Sequence, residues 1–431
     1  MKKFLIFLVS GAIVVNASSQ KLSLPDAVNI GLKNSLDVQL SKNFVDIAII
    51  SNYAGMAGAL PLVTASGTDN YAYTGVHQRI NSGEVIQRNG ANANNLQANL
   101  TAGILLYNGS RVMATRKRLV ELETQGRDQL NSSIQNVMAS VMTAYFDVLR
   151  QQGYSKTFEQ AIDVARKKLA IVKTQMGVGL ANNADLFQSQ VDLNNLLQAE
   201  QTQQVIVDQA KTELLRLLTL NTDSAIIIDD SIQVDRDIKL GDVLSRLSSN
   251  PDILAADEQV RINQLIIKET AAQRYPTLRA STGYNYIGNN AGAGQLLLNQ
   301  SYGPFVGLSL NIPIYNGDIY KRQQKIADMN AKNATIQKEI LMRDYSADVV
   351  KTFKAYTVTL QELESQRNNY RLAQQLLDLV IQRFQFHQAT ILEVTQAQQS
   401  FVTAAYSLVN YSFVAKAAEI ELKRVSSQLS L

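Results

Sequence analysis

Residues 305–317 read Phe305-Val306-Gly307-Leu308-Ser309-Leu310-Asn311-Ile312-Pro313-Ile314-Tyr315-Asn316-Gly317. Two structural regimes meet in this stretch. Up to Ile314 the apolar residues Val306, Leu308, Leu310, Ile312 and Ile314 take every second position, with Gly307, Ser309 and Asn311 between them. A period of two sends alternate side chains to opposite faces of an extended chain, so 305–314 is predicted as a strand with one apolar and one polar face. Beyond Gly317 neither glycine nor proline occurs again. These are the strongest interruptions of a helix, so roughly a hundred residues are left free to form one.

Upstream, the alternation recurs three times. Leu96, Ala98, Leu100, Ala102, Ile104 and Leu106 alternate with Gln97, Asn99, Thr101 and Gly103 in 94–106. Leu278, Ala280, Tyr284 and Tyr286 do so in 277–287, and Val63, Ala65, Tyr71 and Tyr73 in 62–74. The polar stretches 75–93 and 288–301, rich in Asn and Gly, are expected to be loops between paired strands. Proline is also absent from 62 to 250. Within that span Phe158, Ile162, Ala165, Leu169, Val172 and Met176 step by four and three, as do Phe401, Ala404, Leu408, Tyr411, Ala415, Ala418 and Leu422 later on. Such spacing is a coiled-coil seam. A helix from 110 to 177 would be about 100 Å long at about 1.5 Å per residue.

Strands of about ten residues have the length of transmembrane β-strands, and one apolar face with one small polar face suits lipid outside and water inside. A soluble antiparallel sheet is the alternative. No window of about 20 residues after the N-terminal segment is apolar enough for a spanning helix, so a membrane role would fall to the strands. Four strands cannot close a barrel, since the smallest have about eight, and an open sheet in lipid leaves costly unpaired edges. If these strands span a membrane, several chains must share one barrel.

Lys2 and Lys3, the apolar run Phe4 to Val15 and the small residues Ala17, Ser18 and Ser19 have the order of a secretory signal, predicted as 1–19. Its removal takes two lysines and no acid, lowering the net charge from +4 to +2. A nearly neutral chain offers nucleic acid no electrostatic footprint. With no cysteine there is no disulfide framework. With two histidines, His77 and His387, and no histidine–carboxylate cluster, neither a metal site, a cofactor site nor an enzyme is expected.

The chain repeats itself at an offset of about 210 residues. Leu24-Pro25-Asp26-Ala27-Val28 resembles Leu240-Gly241-Asp242-Val243-Leu244, and Asn34 aligns with Asn250. Pro61 answers Pro276, and Ala139, Val141 and Tyr145 answer Ala347, Val349 and Phe353. The turn Tyr107-Asn108-Gly109 recurs as Tyr315-Asn316-Gly317. The expected division is a first repeat over 20–220, a linker over 221–239 and a second repeat over 240–431.

This duplicated layout resembles the TolC-like outer-membrane efflux proteins over essentially the whole chain after the leader. Ala144-Tyr145-Phe146-Asp147-Val148-Leu149 is similar to an aromatic stretch of that family, and Val178-Gly179-Leu180 with Asp185 to its periplasmic helix turn. The resemblance implies a mainly α fold with a membrane β-barrel part: a homotrimer in outer-membrane lipid with twelve shared strands. The helical segments would form a periplasmic α-barrel. A mixed collar would draw on 221–240 and the C-terminal residues. Implied partners are a periplasmic adaptor (membrane fusion) protein and an inner-membrane transporter of the RND or ABC type.

By the same resemblance Val178, Gly179, Leu180, His387 and Gln388 would dock the adaptor, in turns near 178–185 and 386–393. Asp185, Glu393 and Gln396 would stand at the periplasmic gate. Three positions depart from the family pattern: Gln396 replaces an acidic ring residue of some members, Ala389 an arginine that helps hold the closed state, and His387 stands where the family often has glycine. The implied function is the passive exit duct of a tripartite pump exporting small molecules. The same duct could serve type I protein secretion. A soluble or surface coiled-coil structural protein is the alternative of another class; it leaves the alternating strands and the duplication unexplained.

Overall fold

The computed structural model describes residues 20–429, so the predicted leader lies outside the described residues. In chain order the elements are β1 (Gln20–Lys21), α1 (Leu24–Asn34), α2 (Leu36–Ser51), β2 (Leu62–Arg79), β3 (Val85–Tyr107), α3 (Arg111–Gly177), α4 (Asn183–Leu217) and β4 (Ile226–Ile227). There follow α5 (Leu240–Arg246), α6 (Pro251–Ala272), β5 (Thr277–Ala291), β6 (Leu298–Asn311), α7 (Ile319–Gln385) and α8 (Ile391–Val425). They divide into two compact units, one formed by 43–129 and 254–341, the other by the rest. None of the described helices is long and apolar enough to cross a membrane.

The first unit holds one antiparallel sheet in the order β2-β3-β5-β6. Its register brings the predicted apolar residues onto one face. Leu100 is opposite Ala65 and Tyr284, Ala98 opposite Tyr286, and Ala102 opposite Val63 and Thr282. On β6, Val306 pairs with Thr282, Leu308 with Ala280 and Leu310 with Leu278. The opposite face carries Asn99 with Asn285, Thr101 with Gly283 and Gly103 with Ser281. The apolar side chains are uncovered: Val306 is 86% exposed and Leu308 73%. Among the described residues, β2 and β6 each have one unpaired edge.

The strands outrun their alternating cores, which corrects the expected loops. Only 80–84 and 292–297 connect strands, while 85–93 and 298–301 belong to the ladder. Asparagine and glycine suggest loops because they suit turns. Here Asn92 pairs with Tyr73, Asn94 with Tyr71 and Asn290 with Leu298, backbone to backbone. At its other end β6 stops at Asn311, short of Pro313, which lacks the N–H a ladder needs.

In the helical unit, Tyr145, Phe146, Val148 and Leu149 are buried against Ala27 and Val28 of α1 and Leu214, Leu215 and Leu218 at the end of α4. The single proton of the Tyr145 hydroxyl is shared between the Leu22 carbonyl at 3.1 Å and the Asp230 carboxylate at 2.5 Å, tying both chain segments beside the parallel pair β1–β4 to α3. Asn34 and Asn250, aligned in the sequence, do one job twice. Each donates its amide to a carbonyl at a helix C-terminus, Leu218 at 3.3 Å and Val425 at 2.9 Å.

The repeat is sharper in the structure than in the sequence. Helix α7 begins and ends 208 residues after α3, and α8 begins and ends 208 residues after α4. Among the described residues, the non-glycine residues at positive φ are Ser110, Thr219, Asp318, His387 and Ser427. Each is matched 208 positions away by another: Ser110 by Asp318, Thr219 by Ser427, and His387 by Gly179. Copied strain marks copied turns.

Candidate functional site

Two turns join the long helices, α3 to α4 and α7 to α8, and both are built alike. At the first, the Leu180 N–H donates to Gln175 O at 2.8 Å and the Gly179 N–H to Met176 O at 3.1 Å. At the second, Gln388 donates to Arg383 O at 2.8 Å and His387 to Phe384 O at 3.2 Å. This pair of bonds is a Schellman motif, which requires a left-handed residue just past the helix. Gly179 fills that place with φ +77° and His387 with φ +56°. Only glycine takes such a conformation without penalty, so His387 is held there at a cost of about 1 kcal/mol. Val178 and Leu180 are 68% and 61% exposed, and Phe386, His387 and Gln388 are exposed as well.

The acidic residues of the two turns also match. Asn182 caps α4, accepting from the Asp185 N–H at 3.0 Å, while Asp185 accepts from the Asn182 N–H at 3.3 Å. Thr390 caps α8, accepting from the Glu393 N–H at 3.2 Å, and Glu393 accepts from the Thr390 N–H at 2.6 Å. Both are capping boxes, satisfying helix-end N–H groups that would otherwise lack partners. These bonds, the backbone one foremost, hold the Glu393 carboxyl below its usual range. Glu393 remains exposed, as does Gln396 one turn on. Among the described residues no hydrogen bond joins His387 to Glu393. Ala389 packs at the margin of an apolar cluster centred on Val172, Phe384, Val394 and Phe401.

Above these turns lies a feature the sequence reading missed. Lys168 on α3 is buried, its ammonium 2.6 Å from Asp192 on α4 and 3.2 Å from Thr395 on α8. Gln188 donates to the other Asp192 oxygen at 2.7 Å. A buried cation is tolerated because its charge is paired and two of its three N–H donors are bonded. The signal was its position, three residues after Ala165 and four before Val172, on the buried face.

The strand-to-helix turns carry the other predicted positions. After Tyr107 and Asn108, Gly109 and Ser110 are both left-handed at φ +67°, and Gly317 and Asp318 repeat this after Tyr315 and Asn316. A Cβ on Gly109 would lie 2.7 Å from the Cβ of Tyr275 and 2.8 Å from the carbonyl of Ala272, so that position excludes a side chain twice over. Asn108 accepts from the Val112 N–H at 3.3 Å, starting α3.

The sequence matches the outer membrane efflux protein family over residues 32–219 and 245–427. It is 26% identical over 344 residues to the outer membrane protein TolC of Escherichia coli, covering 75% of this chain and 67% of TolC. It is 20% identical over 308 residues to the outer membrane efflux protein BepC of Brucella suis, covering 71% of this chain and 66% of BepC. The fold is shared with the CmeC outer membrane channel of Campylobacter jejuni, with a TM-score of 0.78 at 14% identity over 94% of this chain and 85% of CmeC. It is likewise shared with the outer membrane protein VceC of Vibrio cholerae, with a TM-score of 0.76 at 17% identity over 94% and 95% of the two chains. With a family match over both repeats and duplicated helix hairpins joined to one four-stranded sheet, the chain belongs to the outer membrane efflux protein family, and its place is the outer membrane.

Proposed function

We propose that the chain is the passive exit duct of a tripartite efflux pump, assembled as a homotrimer that exports small molecules. The observation that carries this reading is the sheet: one face apolar across all four strands, the other small and polar, and, among the described residues, an unpaired edge on each side. An edge in lipid leaves backbone groups unsatisfied at several kcal/mol each. Three copies bring twelve strands, a number within the range of closed transmembrane barrels. The polar strand ends with Asn92, Asn94 and Asn290 would extend the barrel beyond the lipid. Energy comes from an inner-membrane transporter of the RND or ABC type, linked by an adaptor.

The adaptor docks on Val178, Gly179 and Leu180, with His387 and Gln388 at the second turn. Glu393, repeated by symmetry and flanked by Asp185 and Gln396, forms a cation-favouring ring at the periplasmic entrance. Membrane fractionation tests the duct: a heat-resistant trimer in the outer membrane is expected, and a soluble elongated oligomer overturns it. Gly179→Arg tests the docking turn. Apart from its chain neighbours, no atom lies within 4 Å of a Cβ built on Gly179, so the branch point is open, and the left-handed φ of +77° costs a side chain about 1 kcal/mol, as at His387. Trimer yield is expected to hold while export of a fluorescent efflux substrate falls at least tenfold; normal export removes the docking role.

A further inference from the structure

Charge is sparse on the sheet and unevenly placed. In β2, β3, β5 and β6 the charged side chains are Asp69, Arg79, Arg88 and Arg279. Asp69, the one carboxylate, shares the apolar face with Ala65 and Tyr71, level with Leu96, Gly288 and Gln300 near the polar strand ends. Arg79 pairs with Val85 beside the turn at 80–84, and Arg88 donates to the Gly292 carbonyl at 2.9 Å. Arg279 stands apart at the other end of the sheet, where β5 begins and β6 stops at Asn311. It is level with Leu105 and Ser309, on the polar face with Ser281 and Asn285. Arg279 is exposed, and among the described residues no hydrogen bond or ion pair reaches it. The internal repeat shows that the hairpin does not need this charge. Pro276-Thr277-Leu278-Arg279-Ala280-Ser281 answers Pro61-Leu62-Val63-Thr64-Ala65-Ser66, so the first repeat carries threonine at the same place and on the same face.

We propose that Arg279, one from each chain, forms an anion-binding belt on the inner wall at the helix-side end of the barrel, where it takes the carboxylate or phosphate groups of molecules in the lumen. The inference rests on the proposed duct and names a ligand class for a place in it remote from the Glu393 turn. A charged side chain turned to lipid is costly to desolvate, so the face that bears Arg279 is the one that meets water. No carboxylate shares that face within the four strands, so nothing on it neutralises the guanidinium. Its neighbours there are small: Ser281 and Ser309, with Gly103 and Gly307 both opposite Ser281. They leave the planar fork free to offer two parallel N–H bonds to a carboxylate or phosphate. Rings of arginine or lysine in a pore favour anions, as rings of aspartate or glutamate favour cations. The duct thus carries opposite preferences in series, cationic groups at the Glu393 turn and anionic groups at the barrel base.

Inorganic tripolyphosphate is the probe, added to each side in turn of purified channels in planar bilayers at about 0.1 M KCl. It is expected to block the current of the native channel. The half-blocking concentration should rise at least tenfold in Arg279→Thr and stay within about threefold of native in Arg279→Lys, which keeps the charge. Adding Thr64→Arg to Arg279→Thr rebuilds the belt at the equivalent position and should restore the block to within about threefold. Raising KCl to about 1 M, where the screening length falls from about 10 to about 3 Å, should weaken the native block at least tenfold. Absence of block in the native channel, or equal block in native and Arg279→Thr channels, overturns the proposal. Block that survives Arg279→Thr and is lost in Arg79→Gln or Arg88→Gln places the anion at the outer turns and overturns it as well. Should Arg279→Thr not assemble, Thr64→Arg in the native chain is expected to lower the half-blocking concentration at least threefold, and an unchanged value overturns the belt. Channels that conduct but ignore Arg279 sink this inference and leave the duct reading standing. A preparation from the outer membrane that forms no channel sinks both.

Discussion

A carboxylate at a helix start can serve two ends, and for Glu393 one is observed and the other proposed. Its side chain closes the capping box with Thr390, and it stays exposed at the turn where a ring of charge is proposed. The two roles separate by substitution. Glutamine retains a carbonyl oxygen that can close the box, so Glu393→Gln keeps the cap and removes the charge. Thr390→Ala removes the cap and keeps the charge, at about 1 kcal/mol. In planar bilayers Glu393→Gln is expected to reduce cation preference while thermal unfolding stays within error; Thr390→Ala should lower thermal stability with cation preference intact. Because the bonds depress the Glu393 carboxyl, their contribution is present above its unfolded pKa and is lost as pH falls through the folded one. The Thr390-x-x-Glu393 spacing was legible as a capping signature, but the resemblance drew attention to the charge alone. The left-handed place of Gly179 was legible from its residue type. That of His387 was visible only as a glycine counterpart.

At the scale of elements, the long helices were legible because proline and glycine are missing from them, an absence that needs no tertiary knowledge. Strand lengths were not. Residues 85–93 pair through backbone groups, and backbone pairing leaves no mark in a composition of asparagine and glycine. Partner-dependent features were hidden for the same reason: Lys168 becomes intelligible only when α4 and α8 bring Asp192 and Thr395 to it. Helix α6 carries another such residue. Glu258 is buried beside Glu121, and Arg261 reaches Glu258 at 2.5 Å, Asp257 at 3.2 Å and Glu121 at 3.8 Å. Burial above all, then the hydrogen bond with Glu121, pushes the Glu258 carboxyl up to about 7 from 4.5. The folded chain thus holds a proton that the unfolded chain releases, so stability falls as pH rises from about 4.5 to about 7. Glu258→Gln is expected to flatten that slope and to raise the denaturation midpoint at pH 8 relative to pH 5. An unaltered slope would show that Glu258 does not carry the proton.

For the molecule as a whole, the decisive feature is that its sheet is unfinished. A sheet with one apolar face normally covers that face with another layer. Among the described residues, Leu100, Val306 and Leu308 stand uncovered while β2 and β6 leave their outer edges open. A barrel shared between copies answers both deficits, since it pairs the edges and gives the apolar face to lipid. The four alternating strands were legible from sequence, as was the fact that four cannot close on themselves, whereas the exposure of the long helices was not, because it emerges only when the repeats are compared for burial. The barrel orientation has a direct test. In the assembled outer membrane, cysteines at Thr101 and Ser281, on the polar face, are expected to react with a water-soluble maleimide. Cysteines at Val306 and Leu308 should resist it and react only after denaturation. The register ties these positions together across neighbouring strands, with Ser281 opposite Gly307 and Val306 opposite Thr282, so the four results must change together. Reaction at Leu308 with protection at Thr101 would turn the sheet inside out, and equal reaction at all four would remove the strands from lipid.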